Sequence, residues 1–318
     1  MDNMNARVVS RLGQAGSVFG LALPGYMSKH GGIKVVSADM SRPAGLDRFK
    51  NQYPNDFYNT GIAEQNMLGV AAGLASEGYT TVAEAQACFL SMRSFEQVRQ
   101  YMGYMQFPIV CVGINSGFSL TFFGNSHYAI EDMAIMRAIP NMTVFSASDA
   151  GMAIALFEKA CDLRKPVYLR LAGGLNIPII YQVQPKVKVG GSIVLREGDD
   201  VAILATGSMV NTAMSVAENI ASKGIEARVV DMYSIKPIDK ERILQCAKSK
   251  MLVTIEEHNV VGGLGGAVAE VLSEMASTTR LLRLGVNDQY AMVGDYVYLL
   301  AQYRLAPELI AEDVLKNL

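Results

Sequence analysis

The chain has 318 residues, half of them hydrophobic, so it can bury one large core or two ordinary ones. Its 28 basic and 30 acidic residues are interspersed and leave a net charge of −2, which argues against a nucleic-acid-binding stripe and against an acidic disordered tail. Cys88, Cys111, Cys161 and Cys246 are scattered without a C-x-x-C pair, the pattern of reduced, buried thiols rather than of a disulfide frame or a zinc site.

From the start of the chain, residues 1–16 carry Arg7 and Arg11, and 17–26 are apolar but broken by Pro24 and glycines. No run approaches the roughly 18 apolar residues of a membrane span, so a cytoplasmic protein with no membrane association is expected. Short β-branched runs at 33–38, 80–83, 108–114, 143–146 and 166–171 predict strands. Between them, 64–78, 90–106, 130–138 and 150–161 predict helices, the alternation of a parallel sheet covered on both faces. Residues 176–191 hold two prolines and lose helical periodicity, which predicts a linker. Beyond it, 201–205, 227–230, 251–256 and 281–284 read as strands, and 211–223, 239–247, 265–275 and 306–318 as helices. The expected fold is α/β with two domains, 1–184 and 185–318, each a mainly parallel sheet flanked by helices.

Three features suggest chemistry. In Gly61-Ile62-Ala63-Glu64-Gln65-Asn66-Met67 a lone carboxylate stands between an apolar approach (Phe57, Tyr58) and a small-residue helix. Such a carboxylate tends to leave water, which suits it to hold or exchange a proton; the other reading is an acid that complements the helix dipole. Phe89, Met92 and Phe95, spaced i, i+3 and i+6, form either an apolar wall for a ligand or a plain core stripe. Gly262-Gly263-Leu264-Gly265-Gly266 offers backbone N–H groups to an anion, although Val268 stands where a G-x-G-x-x-G loop needs glycine, and tight packing of loop on helix is the alternative.

A wider resemblance joins these features. YNTGIAEQNMLGVAAGLASEGY (58–79), VVSADM (35–40), CFLSMRSFEQVR (88–99), GNSHYAIEDMAIMRAIPNM (124–142) and EEHNVVGGLGGAV (256–268) resemble, in order, the C-terminal half of a transketolase. The similarity is closest to the small subunit of split, two-chain transketolases. It implies thiamine diphosphate as cofactor, with the protein supplying geometry and electrostatics. It further implies that Glu64 hydrogen-bonds the aminopyrimidine ring, that Ile62 props the cofactor in its bent shape, and that Asp39 lies near the thiazolium. Phe89, with Met92 and Phe95, would wall the ring, where offset stacking adds about 0.5–1.5 kcal/mol beyond burial.

The family holds the diphosphate and Mg²⁺ through a GDG motif and a downstream asparagine on a separate domain. Here Gly198-Asp199 is followed by Asp200 and Gly294-Asp295 by Tyr296, so neither pair fits. The resemblance therefore implies a larger partner subunit carrying that domain, in a heterotetramer with two copies of each chain. His127 matches a substrate-contacting histidine. Family members have histidine where this chain has Asn115, aspartate where it has Phe123, and a phosphate-binding arginine where it has Gly173, with Arg170 nearby. Replacing the acid leaves a sugar hydroxyl unpaired at a cost of about 1–3 kcal/mol. Together with Phe118, Phe122 and Tyr128, these departures predict an apolar donor pocket. The expected reaction is transfer of a two-carbon ketol unit from a ketose to an aldose, with a deoxy, modified or carrier-linked sugar. A 2-oxo-acid donor, as in deoxyxylulose-phosphate synthase or the 2-oxo-acid dehydrogenase beta subunit, and a non-catalytic regulatory subunit are the alternatives. His258 is expected to be structural.

Overall fold

Two predominantly parallel sheets organise the chain. In the computed structural model, which describes residues 6–173, 177–275 and 277–318, the strands are β1 (Ile33–Ser37), β2 (Phe57–Asn59), β3 (Thr80–Gln86), β4 (Ile109–Ile114), β5 (Thr143–Ser146), β6 (Val167–Arg170), β7 (Ile193–Arg196), β8 (Val201–Ala205), β9 (Ala227–Asp231), β10 (Ser234–Lys236), β11 (Met251–Asn259) and β12 (Arg280–Val286). The first sheet has seven strands in the order β10-β5-β6-β4-β3-β1-β2, and the second has five in the order β12-β11-β8-β9-β7. Only the edge strands β10 and β7 run antiparallel to their neighbours. The central strands β4 and β8 are buried at every position, as a parallel sheet covered on both faces requires.

The expected strands all appear, with ends shifted by a few residues. The elements not anticipated include the helices Ala6–Ser17, Leu23–His30 and Asp47–Gln52 at the start of the chain, the four-residue edge strand β7, the three-residue β10 and the helix Tyr296–Gln302. β10 lies beyond the expected linker yet pairs with β5 of the first sheet. The stretch expected as one helix over 90–106 is instead a succession of π-helical and α-helical turns, Phe89–Arg93, Phe95–Gln97 and Val98–Tyr104. Residue 176, where the linker was expected to begin, lies outside the described residues; from 177 to 191 no helix or strand forms.

One continuous core crosses between the two sheets. Met67, Leu68 and Ala71 of the helix Glu64–Ser76 pack with Ala83 and Cys111 of the first sheet, and the same cluster extends to Leu204 and Val230 of the second. The small residues of that helix, Ala71, Ala72 and Ala75, let it lie close over β1 and β3 and so fix the position of its first residue, Glu64. Among the described residues, no helix is long and apolar enough to cross a membrane.

Candidate active site

The residues singled out above leave the first sheet at its carboxyl edge. Asp39 follows β1, Glu64 follows β2, Phe89 follows β3 and Asn115 follows β4. Chain order turns back between β1, flanked by β2 on one side, and β3 on the other. Such switch points at the carboxyl ends of parallel strands are where open α/β sheets bind ligands.

Glu64 opens its helix and is only 2 % exposed, although a carboxylate at that depth needs a partner. The partner is Arg93, whose Nη1 donates to Oε1 and Oε2 at 3.1 and 3.0 Å. The Arg93 guanidinium also lies over the Phe89 ring, 4.1 Å from its centre. His127 meets Phe89 edge-on with ring centres 5.2 Å apart, and Phe123 also contacts the imidazole, tilted, at 4.8 Å. Ser126 Oγ is 2.9 Å from His127 Nδ1 and so orients the ring. Five side chains from three separate segments thus meet: Glu64, Phe89, Arg93, Phe123 and His127.

A second group of bonds shapes the loop that leads into Glu64. Asp39 and Gly61 both adopt left-handed backbone, φ 60° and 71°, which is costly for the aspartate unless something holds it. Asn59 does so: its Oδ1 accepts from Asp39 N and Gly61 N at 3.1 and 2.9 Å, and its Nδ2 donates to Asp39 Oδ1 at 3.0 Å. The next residue, Ile62, projects with 76 % of its surface exposed. Beneath this loop Ser37 Oγ accepts from Met40 N and donates to Glu84 Oε2 at 2.8 Å. The other oxygen of Glu84 has no partner among the described residues, and burial pushes this carboxyl up to about 7. A carboxyl with a folded pKa above its unfolded value stabilises the fold at low pH and loses that contribution as pH rises, here between about 4.5 and 7. Urea titrations of Glu84→Gln and the native chain at pH 5 and pH 8 are expected to show the variant gaining relative stability at pH 8. Equal differences at the two pH values would contradict this account of Glu84.

Comparisons with known proteins identify the family. Residues 14–175 match the family model for the pyrimidine-binding domain of transketolase, and residues 190–310 match the model for the transketolase C-terminal domain. The chain belongs to the transketolase family. A transketolase C-terminal section from Methanocaldococcus jannaschii is 37 % identical over 293 residues, covering 91 % of this chain and 92 % of that protein. A 6-deoxy-6-sulfo-D-fructose transketolase subunit from Clostridium sp. strain MSTE9 is also 37 % identical, covering 88 % of this chain and 87 % of the relative. Among solved structures, an inactive beta4 tetramer of a split-gene transketolase superposes with a TM-score of 0.85 at 38 % identity, covering 95 % and 97 % of the two chains. The chain is thus similar over nearly its whole length to separately encoded subunits.

Several expected site residues lie elsewhere in the fold. Arg170, expected at the substrate, is 3 % exposed and committed to the interior. Its Nε donates to Asp132 Oδ2 at 2.8 Å, and its Nη2 donates to the carbonyls of Ala129 and Glu257 at 3.0 Å each. The ion pair ties β6 to the helix Asp132–Ala138, and the bond to the Glu257 carbonyl ties it to β11, which leaves almost no surface for a ligand. The apolar donor pocket is also corrected. Phe118 and Tyr128 are fully buried against each other in the core of the second sheet, and only Phe122 and Phe123 are exposed. Phe95 packs into the core, as a stripe would, whereas Met92 is 41 % exposed. Asn115 lies apart from the Glu64 cluster. It lines a cavity of about 370 Å³ with Arg11, Gln14, Arg42 and Gly173. A side chain at Gly173 would strike the Asn115 amide, so an arginine there and the present Asn115 exclude one another.

The glycine loop has an anion of its own. Glu256 accepts from Leu264 N and Gly265 N at 2.7 and 2.8 Å, filling the helix start with an internal carboxylate. Gly263 has to be glycine there, since a Cβ would run into Glu256 and His258. His258 is fully buried, accepts from Ala134 N at 3.3 Å, and is pushed down to about 4 by that burial, the behaviour of a structural histidine. Among the described residues no group of three His, Cys, Asp or Glu could hold a metal ion. The pyrimidine half of a thiamine cofactor does suit the residues present. A buried carboxylate stands beside an aromatic face, and both are already satisfied by a flat, nitrogen-bearing group, the Arg93 guanidinium. Sequence reasoning missed Arg93, Asn59 and Arg42. Only Arg93 left a signal, a cation four residues after an aromatic on a helix.

Proposed function

We propose that this chain is the small subunit of a two-chain, thiamine diphosphate-dependent transketolase that moves a two-carbon ketol unit between sugars. The observation that carries the reading is the buried Glu64 carboxylate, joined through Arg93 to the Phe89 ring, at the carboxyl edge of the first sheet. When bound, the cofactor supplies the nucleophilic carbon that accepts and releases the two-carbon unit. Glu64 would hold a proton toward the cofactor's aminopyrimidine, Phe89 would offer its face to that ring, and Ile62 would support the cofactor from the loop before Glu64. Asn59 and Asp39 fix the loop on which Ile62 and Glu64 stand. His127, oriented by Ser126 and in contact with Phe89 and Phe123, faces the substrate. Mg²⁺ and the diphosphate are held by a partner subunit carrying a GDG motif and a downstream asparagine, in a cytoplasmic assembly of two copies of each chain.

The cavity between Arg11 and Arg42 suits the anionic tail of a substrate, and planar guanidinium groups recognise phosphate or sulfonate oxygens bidentately. Loss of one charge-assisted contact costs about 1.5–3 kcal/mol. Arg42→Ala in the assembled enzyme is therefore expected to raise the KM for an anionic sugar about ten-fold or more with kcat little changed, as steady-state kinetics would show. The reaction itself is tested by assaying the two-chain assembly with xylulose 5-phosphate and ribose 5-phosphate beside a sulfonated hexose. Turnover only with the modified sugar supports the specialised reading, whereas rates on the ordinary pair typical of transketolases defeat it.

A further inference from the structure

Arg93 covers the two groups that the proposed function assigns to the cofactor's pyrimidine ring. Its guanidinium uses both oxygens of Glu64 and lies over the Phe89 ring, the carboxylate and aromatic face that a flat nitrogen heterocycle would need. Two such groups cannot share the slot, and a carboxylate bonded through both oxygens to a cation is not free to share a proton with a ring nitrogen. The arrangement is asymmetric in burial: the Glu64 side chain is 3 % exposed, the Arg93 side chain 46 %. Arg93 therefore has an exit to solvent and Glu64 does not. Gln65 Nε2 donates to the Arg93 carbonyl at 3.2 Å, so the backbone stays tied while the side chain moves.

We propose that Arg93 is a latch on the pyrimidine slot, closed in the unloaded subunit and swung outward when the ring enters. This rests on Glu64 and Phe89 being the ring's partners. Without the latch Glu64 would be a buried, uncompensated charge in the free subunit, which is costly. Opening the latch alone would strip a buried carboxylate of its cation, so the latch stays closed until the ring enters. The incoming ring replaces both contacts that the guanidinium gives up. The closed state lowers apparent affinity by the fraction of subunits that are open, a reduction that removing the latch abolishes.

The test uses the isolated chain and the pyrimidine half of the cofactor, 4-amino-5-hydroxymethyl-2-methylpyrimidine, titrated by saturation-transfer NMR. Arg93→Ala is expected to bind this probe about ten-fold more tightly than the native chain, with Arg93→Lys between the two because it keeps the charge and loses the flat fork. Arg93→Gln serves as the second latch-free variant where Arg93→Ala does not fold, with circular dichroism as the check. Unchanged or weaker binding by the folded latch-free variant, with Glu64→Gln still weakening the probe, overturns the latch and leaves the cofactor site standing. Glu64→Gln without effect in either background overturns the cofactor site itself.

Discussion

Glu64→Gln in the assembled two-chain enzyme is expected to lower kcat by about 10²–10⁴-fold, the usual contribution of a positioned acid or base. Gel filtration should show the assembly intact. The amide is nearly isosteric and retains hydrogen-bonding atoms, so the helix that starts at residue 64 keeps its packing through Met67, Leu68 and Ala71. What it loses is a proton that can be shared and returned. The neighbouring Arg93 makes the substitution informative in a second way, because its guanidinium loses the anion it now pairs with. Full residual activity would remove Glu64 from the reaction whatever its position.

Arg170→Ala has the opposite signature. It is expected to cost about 3–5 kcal/mol of stability, because Asp132 is left as a buried charge without its partner. Two further bonds, to the Ala129 and Glu257 carbonyls, are lost with it. Tyr168, whose hydroxyl also donates to Asp132 at 2.7 Å, stays as partial compensation. Chemical denaturation measures the loss directly. If Arg170 contacted substrate instead, stability would be nearly unchanged and KM would rise.

These two residues illustrate how far the sequence could be read. Glu64 was legible because its signal is local: a carboxylate after an apolar approach, opening a helix of small residues. Arg170 was not, since the end of a strand gives the same residue type whether the side chain turns toward a cavity or toward Asp132, 38 positions earlier. Phe118 and Phe123 make the same point. Both lie in one aromatic-rich loop, yet one is fully buried and the other 62 % exposed, a distinction set by the packing of Phe118 against Tyr128 and Tyr303. The strands of the sheet interiors were clear because burial on both faces demands continuous β-branched runs, as in β4 and β8. Edge strands such as β7 and β10 need no such run, and β10 joins the first sheet from a distant part of the chain. Arg42 and Asn115 share a cavity only because β1 and β4 end on the same edge of one sheet, which no local pattern reveals.

The central claim is that this chain supplies one side of a shared cofactor site. Its most direct test is calorimetric titration of thiamine diphosphate with Mg²⁺ into the isolated chain, and then into the chain assembled with a subunit carrying the GDG motif. The account predicts no tight binding by the isolated chain and Mg²⁺-dependent binding by the assembly that weakens on Glu64→Gln. Tight, Mg²⁺-dependent binding by the isolated chain would contradict it.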